Sequence, residues 1–309
     1  MKLSKQMRED FVSDNSLPIQ IMDDPYFDYY VELLDPYYHS MKKYKSLLSI
    51  VGRIGEEKLH EEIKQFKNSM IHYIEQSGYY QNFCHDMQMP EPITPINKGN
   101  LYQPLYTNRK LISIDLIEAN YQALKYACPE LLGEWKNYGQ FAKEFTDIPY
   151  IIWCKKLRQI IFGQLSPARQ QSIQRYIISE IKFYLMDVWG VNPTDFINTS
   201  SDEIVFESTI NIHELNGLVC IFDDNYDCAI PKVKGIRLRI NTFTLLSEGT
   251  DKFKFFTKLY KDGHKEIKGV DSACVPEVIK FLEGKVINSD FDRLFIKDGR
   301  LCKFQESLF

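Results

Sequence analysis

Apolar residues recur at spacings of three and four through residues 26–83: Leu47, Leu48, Ile50 and Val51, then Leu59, Ile63, Phe66, Met70, Ile71 and Ile74. This is the period of amphipathic helices. The stretch Met87-Gln88-Met89-Pro90-Glu91-Pro92-Ile93-Thr94-Pro95 breaks it, because proline lacks the N–H that a helix needs, and a linker is expected there. The pattern then changes to short apolar runs. Leu111-Ile112-Ser113-Ile114-Asp115 and Ile204-Val205-Phe206, the latter preceded by Ser200-Ser201-Asp202-Glu203, predict buried strands with carboxylates at their ends. Between them the spacing predicts a helix over 119–127, further helices, and a long one over about 167–189. Alternation returns at 236–246 and 253–260. A helix opens at Pro276, and Asp298-Gly299 suits the type I′ turn of a hairpin over 294–301. These elements predict an α/β (α+β) chain with a strand-helix-strand core over 96–230. An N-terminal helical region over 1–95 precedes that core and a C-terminal α+β region over 231–309 follows it.

A chain of 309 residues, 44% hydrophobic and 14% aromatic, can bury one large core or two or three modest ones. No apolar run approaches the roughly 20 residues of a membrane helix. The opening Met1-Lys2-Leu3-Ser4-Lys5-Gln6 is polar where a signal peptide would be apolar. Neither membrane insertion nor secretion is expected, and the compartment expected is the cytoplasm. The seven cysteines are odd in number, scattered and never spaced C-x-x-C, which fits reduced thiols with neither zinc nor a disulfide framework.

The net charge of −4 conceals an uneven distribution. Residues 1–40 carry eight acids against Lys2, Lys5 and Arg8. Residues 155–182 carry Lys155, Lys156, Arg158, Arg169, Arg175 and Lys182 against Glu180 alone, and residues 232–268 carry ten Lys and Arg against four acids. Basic segments like these suit a phosphate backbone, and they equally suit an ordinary solvated surface. The acidic N-terminus, with Tyr26-Phe27-Asp28-Tyr29-Tyr30 and Tyr37-Tyr38, offers a surface for a protein partner.

The two strand-end acids carry the candidate chemistry. Hard divalent cations take oxygen ligands, and two such ions stabilise both the attacking and the leaving oxygen of a phosphoryl transfer. Asp115-Leu116-Ile117-Glu118-Ala119-Asn120-Tyr121 resembles motif A of right-hand palm-domain polymerases, in the D-x-x-x-A-aromatic form of reverse transcriptases. Ser201-Asp202-Glu203-Ile204-Val205-Phe206-Glu207 resembles motif C of family A DNA polymerases, H-D-E-[LI]-V-x-E, with serine in place of histidine. Arg158-Gln159-Ile160-Ile161-Phe162-Gly163 is similar to the K-x-x-x-F-G core of motif B, with arginine for lysine and without the tyrosine that should follow. The order A, B, C is kept over about 110–207. The 44 residues from Arg158 to Asp202 are closer to a reverse transcriptase or minimal palm than to family A. Phe255-Phe256-Thr257-Lys258-Leu259-Tyr260 and Lys265-Glu266-Ile267-Lys268-Gly269-Val270 are similar to the K-x-Y and K-G elements that follow motif C in family B polymerases. Nothing resembles a proofreading exonuclease, and the compact, mixed character suggests a virus, phage or mobile element.

The resemblance implies template-directed transfer of a dNTP or NTP to the 3′ hydroxyl of a DNA or RNA primer–template. It implies two Mg²⁺ or Mn²⁺ ions on Asp115 and Asp202, with the Leu116 carbonyl completing one shell and Glu203, pointing mostly away from Asp202, in an outer role. It places Leu116, Glu118, Asn120, Tyr121, Lys155, Arg158 and Phe162 around the nucleotide. Arg158 would grip phosphates through its forked donors. Phe162 would stack on base or sugar. Asn120, with Tyr121 beside it, would face the sugar 2′ position, and a short amide there is expected to exclude ribonucleotides poorly. Arg169, Arg175, Lys258, Lys265 and Lys268 would contact nucleic acid, with Lys182 alongside the first two. Plain alternatives accompany each: Asp115 as a helix cap, Asp202 and Glu203 as turn acids, Phe162 as core, the basic residues as surface. Rival functions are a catalytically degenerate palm serving a replication or transcription complex, a metal-dependent nuclease, and an interaction protein of unrelated fold. Glu180-Ile181-Lys182 has the E-x-K spacing of some nucleases, on a stretch that reads as helix where that motif needs a strand.

Overall fold

The computed structural model describes residues 2–207, 210, 235–249, 254–284, 294–297 and 300–303, the last two stretches by backbone alone. The expected Asp298-Gly299 turn, Cys220, Cys228, Lys232, Lys234 and Lys252 lie outside these residues. The chain forms two compact, discontinuous units, and three consecutive regions are not seen. Unit 1 takes its residues from Met1–Gln65, Ile148–Leu157 and Leu246–Phe309, and unit 2 from Phe66–Asp147 and Arg158–Leu245. The 1–95, 96–230 and 231–309 division followed sequence order, whereas helix 56–75, helix 155–163 and strand 238–249 each contribute to both units.

Unit 1 opens with α1 (Lys5–Asp14), whose Ser4 side chain caps it by accepting from the Met7 N–H at 3.2 Å. It continues through α2 (Tyr26–Leu33), α3 (Asp35–Tyr38), α4 (Ser40–Ile54) and the first half of α5 (Glu56–Glu75). Gly55, at φ +84°, ends α4 in a conformation that side chains rarely adopt. Phe11, Phe27 and Tyr44 meet at ring distances of 5.3 to 6.4 Å in its core. Phe27 and Tyr30, expected in a partner-docking cluster, are buried there, so the apolar faces of α1, α2 and α4 have already claimed them.

Unit 2 holds α6 (Gly78–His85), β1 (Lys110–Leu116), α7 (Ala119–Ala127), α8 (Pro129–Leu132), α9 (Tyr138–Ala142), most of α11 (Lys155–Gly163), α12 (Pro167–Asp187), β2 (Phe196–Thr199), β3 (Glu203–Glu207) and the first part of β4 (Leu238–Gly249). The short α10 (Pro149–Trp153) belongs to unit 1, as do β5 (Lys254–Tyr260), β6 (Lys265–Lys268) and α13 (Val275–Leu282). The main sheet runs β2-β3-β1-β4-β5-β6, and β7 (Leu294–Lys297) pairs with β8 (Arg300–Lys303) in a separate antiparallel ribbon. β1 is antiparallel to both β3 and β4, and β3 to β2. The chain therefore leaves β1 through helices, returns two places away in β2, and inserts β3 between them. This is a split β-α-β arrangement, and it brings the end of β1 beside the β2–β3 turn.

Opposed residues of antiparallel strands share a face of the sheet. One face of unit 2 is mainly apolar, with Ile112, Ile114, Leu116, Ile204, Phe206 and Leu238 all buried and Thr242 buried among them. The other starts buried at Leu111, Ser113 and Val205 and ends in charge at Asp115, Glu203 and Arg239. Because β1 is covered on both faces it reads as a continuous apolar run. Residues 97–99 lie along β2: Thr199 N–H donates to Asn97 O at 2.9 Å, and Gly99 leaves no room for a side chain, since a β-carbon would sit 1.8 Å from Ile197 O.

Among the described residues Cys84, Cys128, Cys154 and Cys274 are free thiols, and no helix is long and apolar enough to cross a membrane. Glu180 and Lys182 are both buried on the helix α12, so their E-x-K spacing does not lie on a strand.

Candidate functional site

Three strands place one charge each in a row. Glu203 on β3 faces Asp115 on β1, which faces Arg239 on β4. Arg239 Nη1 lies 3.9 Å from Asp115 Oδ2, and Arg239 is the more exposed of the two. Asp202 sits one position off this row, at the β2–β3 turn, where its carbonyl accepts from the Leu116 N–H at 2.8 Å. Ser200 shapes that turn: its hydroxyl accepts from the Glu203 N–H at 2.9 Å and donates to Asp202 Oδ1 at 2.9 Å. Ser200 N–H also donates to Glu203 O at 2.8 Å, which closes the turn.

This register corrects the expected division of roles between the motif C acids. Glu203, expected to point away in an outer role, shares a face with Asp115, while Asp202 lies opposite Leu116, its side chain anchored by Ser200. The expectation failed because strand alternation was counted from Asp202, and Asp202 belongs to the turn. Among the described residues no three His, Cys, Asp or Glu side chains are gathered as a metal cage. Mg²⁺ is commonly held by one or two carboxylates plus substrate phosphates and waters, so the donor set of Asp115 and Glu203, with Asp202 adjacent, fits that ion in chemistry and in number.

Beyond β1 the chain turns at Glu118, a non-glycine residue at φ +57°, directly into α7. The Glu118 side chain is only 9% exposed and gathers three donors. Tyr138 N–H reaches Oε2 at 3.0 Å, Arg237 Nη1 reaches Oε2 at 3.3 Å, and Arg158 Nη1 lies 3.5 Å from Oε1. The Arg158 guanidinium also stands over the Tyr138 ring at 5.3 Å. Arg237 is held from behind, where its carbonyl accepts from the Ile117 N–H at 3.0 Å and from Gln122 Nε2 at 3.4 Å.

The remaining expected contacts divide sharply. Phe162 is fully buried, edge-on to Tyr121 at 6.2 Å and to Tyr138 at 6.1 Å, so it is core and cannot stack on a nucleotide. Tyr121 is fully buried too; its hydroxyl donates to Trp135 O at 3.1 Å, and desolvation with Glu118 nearby raises its pKa. It is therefore no screen for a sugar. Leu116 buries its side chain on the apolar face. Asn120 is partly exposed and its Oδ1 accepts from Gln174 Nε2 at 2.7 Å, which occupies the acceptor that a sugar hydroxyl would have used. Lys155 and Arg175 are exposed, the latter reaching Gln171 Oε1 at 3.3 Å.

The expected nucleic-acid grip is also revised. Arg169 donates to Met87 O and lies over the Phe83 ring at 5.4 Å, holding the linker to α12. Lys182 is buried, donates to Pro95 O at 2.9 Å, and has its pKa lowered by desolvation. Lys258 is 6% exposed and opposes Glu266 across β5–β6. Lys268 lies 3.3 Å from Glu266, and Lys265 3.9 Å from Glu248. Lysines counted as free charge in the sequence are thus matched by acids, on the facing strand for Lys258, on the same strand for Lys268 and two strands away for Lys265.

Sequence reasoning missed Arg237 and Arg239 as site residues. The available signal was the alternation Arg237-Leu238-Arg239-Ile240, which puts both arginines on the charged face. No protein-family model matches this chain, and comparison with curated proteins finds no match.

Proposed function

We propose that the chain catalyses template-directed transfer of a nucleotide to a 3′ hydroxyl, through two Mg²⁺ or Mn²⁺ ions held at the end of β1. The observation that carries this reading is the meeting of Asp115 with Glu203 on one face, beside Asp202 at the adjoining turn. Asp115 and the consecutive pair Asp202-Glu203, brought to one place where β1 ends and α7 begins, offer carboxylate oxygens of the kind hard cations take. The bound ions would lower the pKa of the attacking hydroxyl and neutralise charge on the phosphorus. The chain's own part is to fix these acids: Ser200 sets Asp202, and pairing with β3 and β4 sets Asp115.

The test is extension of labelled primed and unprimed strands with dNTPs or NTPs and Mg²⁺ or Mn²⁺, run for the wild type, Asp115→Ala, Asp202→Ala and Glu203→Ala. Extension lost in Asp115→Ala and reduced in both others supports the reading. Strand shortening lost in the same variants would move the assignment to a nuclease.

One observation favours a second reading. The Arg239 guanidinium stands where it neutralises Asp115, an arrangement that suits a palm retained for structure within a replication or transcription complex. Absence of synthesis in the wild type under every metal, with the fold intact, would favour it.

A further inference from the structure

The Glu118 cluster is built in a way that its own pairing does not explain. Among the described residues two guanidiniums share one carboxylate, leaving a positive charge in excess. Both separations, 3.5 and 3.3 Å, exceed the ~2.7–2.9 Å of a well-formed charge-assisted hydrogen bond. Each arginine offers Glu118 a single Nη1, although a guanidinium has five N–H donors. The side chains of Arg158 and Arg237 are 19% and 34% exposed, so donors of both reach solvent.

The strand register fixes where this positive charge lies. Continuing β1–β4 past Leu116 and Leu238 sets Arg237 opposite Ile117, as the 3.0 Å bond between them requires. Arg237 therefore follows Arg239 by two positions on the charged face, a step of about 6.8 Å at ~3.4 Å per strand residue. A molecule whose reacting end sits at Asp115 and Glu203 thus meets Arg237 next, with Arg158 linked to it through the shared Glu118 carboxylate. A chain of phosphates has the matching form, being anionic along its length and rich in acceptors that take guanidinium forks.

We propose that Arg237 joins Arg158, to which the motif B resemblance already gives phosphates, in the subsite for the β- and γ-phosphates of the incoming nucleoside triphosphate, and that Glu118 is a positioning residue that keeps the two guanidiniums side by side. The inference rests on the nucleotidyl-transfer reading and extends it to the residue just before β4. In the empty cluster Glu118 limits the repulsion between the two cations, and phosphate oxygens fill the donors it leaves open.

The experiment uses the full chain and two readouts. Inorganic tripolyphosphate is titrated calorimetrically in EDTA, where the acid pair has no cation to offer. Nucleotide KM and kcat are measured by primer extension. The wild type is expected to bind tripolyphosphate, Arg237→Ala to weaken it at least tenfold, and Arg237→Lys to recover only part, because an ammonium is a point charge without the fork. Arg53→Ala, an exposed arginine on α4, is expected to change nothing. In extension, Arg237→Ala should raise KM more than it lowers kcat. Thermal melting verifies each fold, and Arg237→Gln replaces Arg237→Ala if the latter melts early. Normal extension with KM unchanged in Arg237→Ala overturns the subsite and leaves the polymerase reading standing. Arginine-dependent tripolyphosphate binding without any extension keeps the phosphate site and removes the polymerase reading. Equal competition by a primer duplex lacking nucleotide would make this a backbone contact and overturn the assignment to the triphosphate.

Discussion

Arg8 in unit 1 and Arg158 in unit 2 are both mostly buried guanidiniums facing a carboxylate, at 9% and 19% side-chain exposure. Arg8 is closed off. Its Nη1 donates to Met22 O at 2.7 Å and lies 2.9 Å from Asp24 Oδ1, its Nη2 donates to Asp24 Oδ2 at 3.1 Å, and its plane covers Phe27 at 5.2 Å. Arg158 shares its single carboxylate with Arg237 and spends one nitrogen on it. The same residue type is thus consumed by the fold in one place and left with capacity in the other. Charge count along the sequence sees no difference between them, and the geometry of the partners decides which arginine can serve a ligand.

The comparison breaks most forcefully if the ring that packs against Tyr138, the residue over which Arg158 lies, is removed. Phe162→Ala should cost about 3–5 kcal/mol in urea unfolding, as expected for deleting a fully buried aromatic ring. Nucleotide affinity of the surviving folded protein should follow the displacement of Arg158, with no separate loss of base stacking. A Phe162→Ala variant as stable as wild type would show that this ring is no part of the core.

Glu118→Gln sharpens the contrast at the next level. The amide can still accept from Tyr138 N–H, but two guanidiniums lose their shared counter-charge, and a loss of roughly 1–3 kcal/mol is expected for a mostly buried partner. Added phosphate should restore part of that stability in Glu118→Gln, whereas it should do nothing for a variant at Asp24. Unfolding midpoints with and without phosphate decide it.

The closed site should carry the acid sensitivity. The hydrogen bond from Lys2, followed by those from Arg8, lowers the Asp24 carboxyl below its ordinary 3.8. A depressed carboxylate stabilises the fold fully above pH 3.8 and loses that contribution as pH falls through its folded value. Asp24→Asn should therefore be less stable than wild type at pH 7, and the gap should close below pH 3.8. Asp14 has the opposite sign. Burial raises it above 3.8 despite the 2.7 Å hydrogen bond from the Tyr150 hydroxyl, so ionisation opposes folding as pH rises past that value. Asp14→Asn should gain stability at pH 7 and show no gain at pH 3 in the same titration series.

The smallest effect belongs to the β5–β6 lysines. Lys268→Ala removes a partly exposed pair with Glu266 and should change stability by about 0.2–1 kcal/mol. It should also leave the salt dependence of strand binding nearly unchanged, since that lysine is already matched. A drop of one in the slope of log affinity against log salt would return Lys268 to the nucleic-acid surface.

Much of the fold was legible because periodicity reports burial directly. The expected strand over 111–115 is Lys110–Leu116, the helix over 119–127 is Ala119–Ala127, and the long helix closes at Asp187, two residues inside its expected end at 189. The two discontinuous units were not legible, since helices and a strand that cross between them carry the same pattern on either side. At the site, the sequence pointed to Asp115, Asp202, Glu118 and Arg158, because strand ends and motif spacing are local. It assigned Phe162 and Tyr121 to a ligand because a stacking aromatic and a core aromatic have identical letters. It overlooked Arg237, whose meaning comes from the strand opposite.

The greasy underside of the sheet has a duty beyond stability. A slip of one residue between β1 and β3 would exchange the two faces, turning Ile112 and Ile114 outward and driving Asp115 inward. Ile204, Phe206 and Leu238 make that misalignment expensive, so they act as an indexing layer that sets where the carboxylates emerge. Swaps within this layer that keep its volume can alter the protein freely without moving its chemistry.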